Sequence, residues 1–133
     1  MIVVIDSHTL YWWIEESPLL SKKAAELLNS AEEKGANFYL SPVTFWELRM
    51  KQLKGQLESR IPITRWPEVI EDFEWMEMIS PDTGIWLKTA EMGWKHRDPA
   101  DRLIAATALK YGVPVLTKDT KFHLEDSPVE AVW

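Results

Sequence analysis

HRDPADRLIAATALKYGVPVLTKD, residues 96–119, predicts one helix, one turn and one strand, with acids at both ends. Asp98 precedes Pro99, and proline fits the first helical position, so Asp98 is the expected N-cap and Asp101 falls in the first turn. Leu103, Ile104, Ala105, Ala106, Ala108 and Leu109 make a largely small-residue apolar run, suited to close packing on a sheet. Gly112 stands where a helix C-cap belongs. Residues 113–117, VPVLT, then read as a short buried strand that delivers Asp119 just past its carboxyl end. Open α/β sheets form their sites beside the carboxyl ends of strands. An acid at a helix start and another after the next strand can therefore face one crevice.

The rest of the chain repeats this alternation. Residues 2–5, IVVI, are β-branched without polar alternation, as in a strand covered on both faces, and they end at Asp6. Asp6 or Ser7 can cap a helix over residues 8–14, which Ser17-Pro18 breaks. Residues 21–34 read as one helix stopped by Gly35, and 38–40 as a second strand. Ser41-Pro42 opens a helix from 43 to about 54, with Val43, Trp46, Met50 and Leu53 as its apolar stripe and Glu47 beside it. Residues 56–64 read as a loop or frayed end. A helix over 66–73, a strand over 75–79, a helix over 83–92 and a final edge strand over 129–133 complete the pattern. Strands alternating with helices predict an α/β fold with a mainly parallel sheet, and the absence of repeats or linkers predicts a single domain spanning 1–133.

Composition narrows the function. The chain has 133 residues, 46% hydrophobic and 27% charged, as expected of a globular domain with a real core. It has no cysteine, which excludes disulfides and thiolate metal sites. No apolar run approaches the ~20 residues of a membrane span, and the start lacks signal-peptide features, so a cytoplasmic protein without membrane partners is expected. A net charge of −6 argues against coating nucleic acid by bulk electrostatics, though not against a nuclease whose acids hold cations. Of eight tryptophans, Trp12, Trp13, Trp46 and Trp66 are candidates for a partner surface, with core burial the ordinary alternative for most.

Asp6, Glu47, Asp101 and Asp119 all fall near the same sheet edge. Mg²⁺ and Mn²⁺ take hard oxygen ligands and leave positions for phosphate oxygens, activating water for in-line displacement at phosphorus. Carboxylates gathered without a cation would repel and raise one another's pKa. Each acid also has an ordinary reading: Asp6 as a cap, Glu47 paired with Lys51 at i+4, Asp98 and Asp101 as a capping box, Asp119 as a turn residue. Ser7 and Thr117 can orient a ligand or water, or serve as a cap and a strand residue. Arg102 and Arg97 can meet a substrate phosphate, or pair with Asp98 or Asp101. His96 is a candidate base with a structural alternative; His8 and His123 are weaker ones. Arg49, Lys51, Lys54, Arg60, Arg65, Lys88, Lys95 and Arg97 offer an RNA track or plain solvated faces. Trp12 and Trp13 can stack on unpaired bases or pack against a partner helix, the second being favoured.

VIDSHTLYWW at the start, WEL at 46–48, HRDPADRLIAATAL at 96–109 and LTKDTKF at 116–122 resemble the PIN-domain family, and more narrowly its VapC-type ribonuclease toxins. The resemblance spans residues 2–122. It implies an α/β/α sandwich, a homodimer, an RNA substrate, a VapB-type antitoxin, and Mg²⁺ or Mn²⁺ held by Asp6, Glu47, Asp101 and Asp119. Asp98 matches a second acid of the toxin subgroup. The rival functions are a PIN-fold nuclease with a housekeeping RNA-processing or DNA role, and a non-catalytic binding module whose acids are only caps and ion pairs. A response-regulator-like fold also groups acids after strands, but the order of elements fits it poorly.

Overall fold

Five strands form one sheet in which every neighbouring pair is parallel: β1 (Ile2–Ile5), β2 (Asn37–Leu40), β3 (Met76–Met78), β4 (Val115–Leu116) and β5 (Ala131–Val132), in the order β3-β2-β1-β4-β5. The computed structural model describes all residues from Met1 to Trp133. β1 is central, flanked by β2 on one side and β4 on the other, with Val4 opposite Val115 and Ile5 opposite Leu116. The chain thus leaves β1 towards one edge and later returns to its other side. That reversal opens a crevice at the carboxyl ends of β1 and β4.

The period-2 alternation of strands divides the core into two layers. Val3, Ile5, Phe38, Leu40 and Leu116 point to one face, with Leu10, Ala24, Leu28, Leu48, Trp66 and Ile70. These come from α1 (Ser7–Ile14), α2 (Lys22–Asn29), α4 (Val43–Leu53) and α5 (Trp66–Glu71). Val4 and Val115 point to the other, where α6 (Thr83–Glu91) and α7 (Pro99–Tyr111) bring Ile85, Leu103, Ile104 and Ala105. The result is the expected α/β/α sandwich. The small side chains of α7 have the predicted role: Ala105, Ala106 and Ala108 are fully buried. Asp98 caps this helix, its Oδ1 accepting from Asp101 N at 3.1 Å, and Gly112 ends it at φ 64, a left-handed conformation that glycine adopts without cost.

Two expectations about helices need correction. The run 21–34 is interrupted: α2 stops at Asn29 and a separate turn of helix, α3 (Ala31–Lys34), follows. At the junction the Ser30 hydroxyl donates to Glu26 O at 2.6 Å, the kind of local bond by which serine competes with a continuing helix. The apolar stripe of α4 is divided: Val43 packs against the core, while Trp46, Met50 and Leu53 turn outwards. Trp46 and Leu53 are 57% and 65% exposed, and the fully buried residues of the helix are instead Thr44 and Leu48. Thr44 accepts a hydrogen bond from the Ser7 hydroxyl at 3.1 Å, which turns that side of α4 towards α1. Residues 63–65, within and after the segment read as a loop, form a 3-10 turn that buries Ile63.

Six of the eight tryptophans are buried or half-buried, leaving Trp46 and Trp86 exposed. Trp66, completely buried, donates its Nε1 hydrogen to Ile61 O at 3.0 Å, so its polar edge is satisfied within the core. No helix is long and apolar enough to cross a membrane.

Candidate active site

Asp6 directly follows β1 and its extended backbone caps α1; its Oδ1 accepts from Ser7 N at 2.7 Å and its Oδ2 accepts from Thr117 Oγ1 at 2.8 Å. Thr117 lies just past β4, and its hydroxyl oxygen also accepts from Asp119 N at 3.0 Å. One threonine therefore ties together the acids that follow the two central strands. Asp119 in turn caps the 3-10 turn Thr120–His123 through Lys121 N at 3.0 Å. Glu47 comes from the first turns of α4, and Asp98 and Asp101 from the start of α7, two helices that meet at this end of the sheet.

These placements converge. Asp6, Glu47, Asp98, Asp101 and Asp119 line one open cleft of about 510 Å³. Carboxylate oxygens of Glu47, Asp98 and Asp101 lie within 4.8 Å of one another, and so do ligand atoms of His96, Asp101 and Asp119. The electrostatic consequence is large. Burial, then the charges of Asp6, Asp98, Glu47 and Asp119, push the Asp101 carboxyl up to about 8. Burial likewise pushes Asp6 up to about 6, with Glu47 and Asp119 adding to the rise and the Thr117 and Ser7 hydrogen bonds opposing it.

The cap and site readings of Asp6, Asp98 and Asp119 are compatible, because one carboxylate oxygen caps a helix or turn while the residue still borders the cleft. The capping box is only half formed. Asp101 does not reach back to Asp98; its Oδ2 meets His96 Nε2 at 2.6 Å. Glu47 does not pair with Lys51 either: Lys51 Nζ sits 3.1 Å from His8 Nε2, and the five ion pairs of the chain leave Glu47 without a partner. The imidazole of His8 is held below its ordinary pKa by burial and then by Lys51, with Glu47 and Asp119 opposing.

Arg102 takes neither role expected of it. Its guanidinium donates to four backbone carbonyls, Thr89 O and Trp94 O at 2.8 Å, His96 O at 2.8 Å and Met92 O at 3.1 Å, and it is absent from the cleft wall. The segment after α6 passes around this cation, and the Trp94 ring packs edge-on against Phe122 and His96 at 5.0 and 4.9 Å. Arg102 thus sets where His96 stands. Ser7 is also away from the cleft, its hydroxyl joining α1 to α4. Sequence reading overlooked Lys118 and Lys121, exposed at the cleft mouth. Their only signal was adjacency to Asp119.

A model of the PIN domain matches residues 3–124. The chain belongs to the PIN-domain family. It is 31% identical over 136 aligned positions to ribonuclease VapC22 of Mycobacterium tuberculosis, covering 98% of both chains. Among solved structures, this PIN domain superimposes on FitAcB from Neisseria gonorrhoeae with a TM-score of 0.67 at 23% identity, covering 100% of this chain and 97% of that one. VapBC2 from Rickettsia felis, bound to a DNA fragment from its promoter, gives 0.67 at 16% identity with both chains fully covered. At those identities the structures establish the fold, and the resemblance read from the sequence motifs is borne out.

Proposed function

We propose that this PIN domain is a divalent-cation-dependent endoribonuclease and the toxin of a toxin–antitoxin pair, with residues 1–133 working as one unit. One observation carries the cation: five acids border one cleft, and burial together with the charges of the other four raises Asp101 to about 8, far above an isolated carboxylate. Such a set is costly alone and matches the hard-oxygen preference of Mg²⁺ or Mn²⁺. Capping accounts for Asp6, Asp98 and Asp119 but not for Glu47 or Asp101, which disfavours the non-catalytic binding module. The relative named a ribonuclease, matched end to end, favours RNA over DNA as substrate.

In this reading Asp6, Glu47, Asp101 and Asp119 hold the cation, and Asp98 borders it from the exposed side. The bound cation would neutralise phosphate charge and acidify a water, the chemistry that phosphodiester hydrolysis needs. Thr117 keeps Asp6 and Asp119 in register, and His96 orients Asp101 through its 2.6 Å contact. RNA places the enzyme in the cytoplasm. VapBC and FitAcB complexes among its structural neighbours support an antitoxin partner, and the exposed Trp46, Leu53, Trp86 and Leu87 offer apolar surface for it and for a homodimer.

Expression in a bacterial host tests the toxin reading. Wild type is expected to arrest growth with cleavage of cellular RNA, and Asp119→Asn at equal protein level to do neither. Equal arrest by both would contradict it.

A further inference from the structure

Trp12 is the single apolar side chain on a cleft wall otherwise made of acids, lysines and His8. It lies under two helical turns from Asp6 on α1, and it is half-buried. Three neighbours fix its ring: Trp133 edge-on at 5.8 Å, His8 tilted at 5.9 Å, and Lys118, whose Nζ lies 5.7 Å from the ring centroid. Trp13, the adjacent residue in sequence, is spent on the fold. It packs against Phe73 and Trp75 at 5.4 and 5.5 Å and donates from Nε1 to Asn29 Oδ1 at 2.9 Å. The two tryptophans paired in the sequence therefore separate into one structural and one facing the cleft.

We propose that Trp12 is a stacking platform for one unpaired nucleobase beside the cleaved bond, with the exposed Lys118 and Lys121 taking the adjoining phosphates. The proposal rests on the ribonuclease reading of the cleft. A planar, indole-sized apolar surface amid charge is a poor seat for a protein helix, which needs a continuous apolar strip. It suits a nucleotide, whose base has a π face of similar size and whose phosphate seeks a cation. A lysine already over the ring can keep its cation–π contact while it meets that phosphate. The platform also implies a preference: a base must leave its duplex to stack here, so single-stranded RNA and loops are favoured over helices.

The test measures binding apart from cleavage. A fluorescein-labelled hexauridylate, 2′-O-methylated throughout so that it is not cut, is titrated by anisotropy in Mg²⁺ with wild type, Trp12→Phe and Trp12→Ala. Circular dichroism melts confirm each fold. Trp12→Ala is expected to weaken binding about 5–150-fold, with most of the affinity kept in Trp12→Phe. An abasic site walked along the oligonucleotide should cost wild type a similar factor at one position and cost Trp12→Ala nothing there. Absent binding, unchanged affinity in a folded Trp12→Ala, or equal abasic penalties in both proteins would overturn the proposal. So would an effect of Trp12→Ala confined to an antitoxin peptide. Cleavage of the matching ribo-oligonucleotide is scored separately. Trp12-dependent binding without cleavage would sink the nuclease reading and leave the platform, whereas cleavage with Trp12-independent binding would sink the platform alone.

Discussion

Asp101→Asn is expected to reduce RNA cleavage, at the Mg²⁺ concentration that saturates wild type, by at least about 10³-fold while leaving the fold intact, because a lost cation ligand forfeits several kcal/mol of charge stabilisation. The substitution preserves shape and keeps an oxygen that His96 can still meet, so circular dichroism and melting should report a native protein. Asp101 is the sharpest choice among the acids. It lies within ligand distance of both Glu47 with Asp98 and His96 with Asp119, so its loss breaks both groupings. Retained cleavage in a folded Asp101→Asn protein would move the site elsewhere.

The same substitution is expected to stabilise the cation-free protein at alkaline pH. Asp101 and Asp6 have folded pKa values near 8 and 6, both above the ordinary value of 3.8. Between pH ~4 and ~8 the folded state therefore holds protons that the unfolded chain has released, and stability falls as pH rises through that window. With EDTA present, wild type should melt lower at pH 8.5 than at pH 5, by roughly 5–10 °C for a loss of a few kcal/mol. Asp101→Asn should flatten the dependence. Saturating Mg²⁺ should raise the wild-type melt at pH 8.5 and leave it nearly unmoved at pH 5, where protons occupy the ligands. A cation-free melt that rises with pH would remove the electrostatic crowding on which this account rests.

The fold was legible because its signals are local. Ile2–Ile5 has no polar position, as a strand covered on both faces requires, and Asp98-Pro99 and Gly112 mark the ends of α7 by backbone chemistry. The positions of Asp6, Asp98 and Asp119 were legible because each stands at the end of a strand or the start of a helix, whereas Glu47, inside α4, carried no such mark. What was misjudged depends on contacts distant in sequence. Periodicity showed that Trp46, Met50 and Leu53 share a face of α4, but the direction of that face is set by Thr44 and Leu48 against the rest of the core. Arg102 looked available to phosphate because its four carbonyl partners lie at the end of α6 and in the irregular segment after it, a grouping that no periodic pattern predicts. The link from Thr117 to Asp6 spans 111 positions and carries no periodic trace.

The most direct measurement is a calorimetric titration of Mn²⁺ into wild type and Asp101→Asn at pH 7, repeated in two buffers of different ionisation enthalpy. The Asp101 carboxyl, pushed up to about 8 by burial and the neighbouring acids, must surrender any proton it holds to become a ligand. Wild type is expected to bind saturably and release about one proton per cation, and Asp101→Asn to show no saturable binding. Equal binding by the two proteins, or no binding by wild type, would contradict the claim that these acids form a cation site.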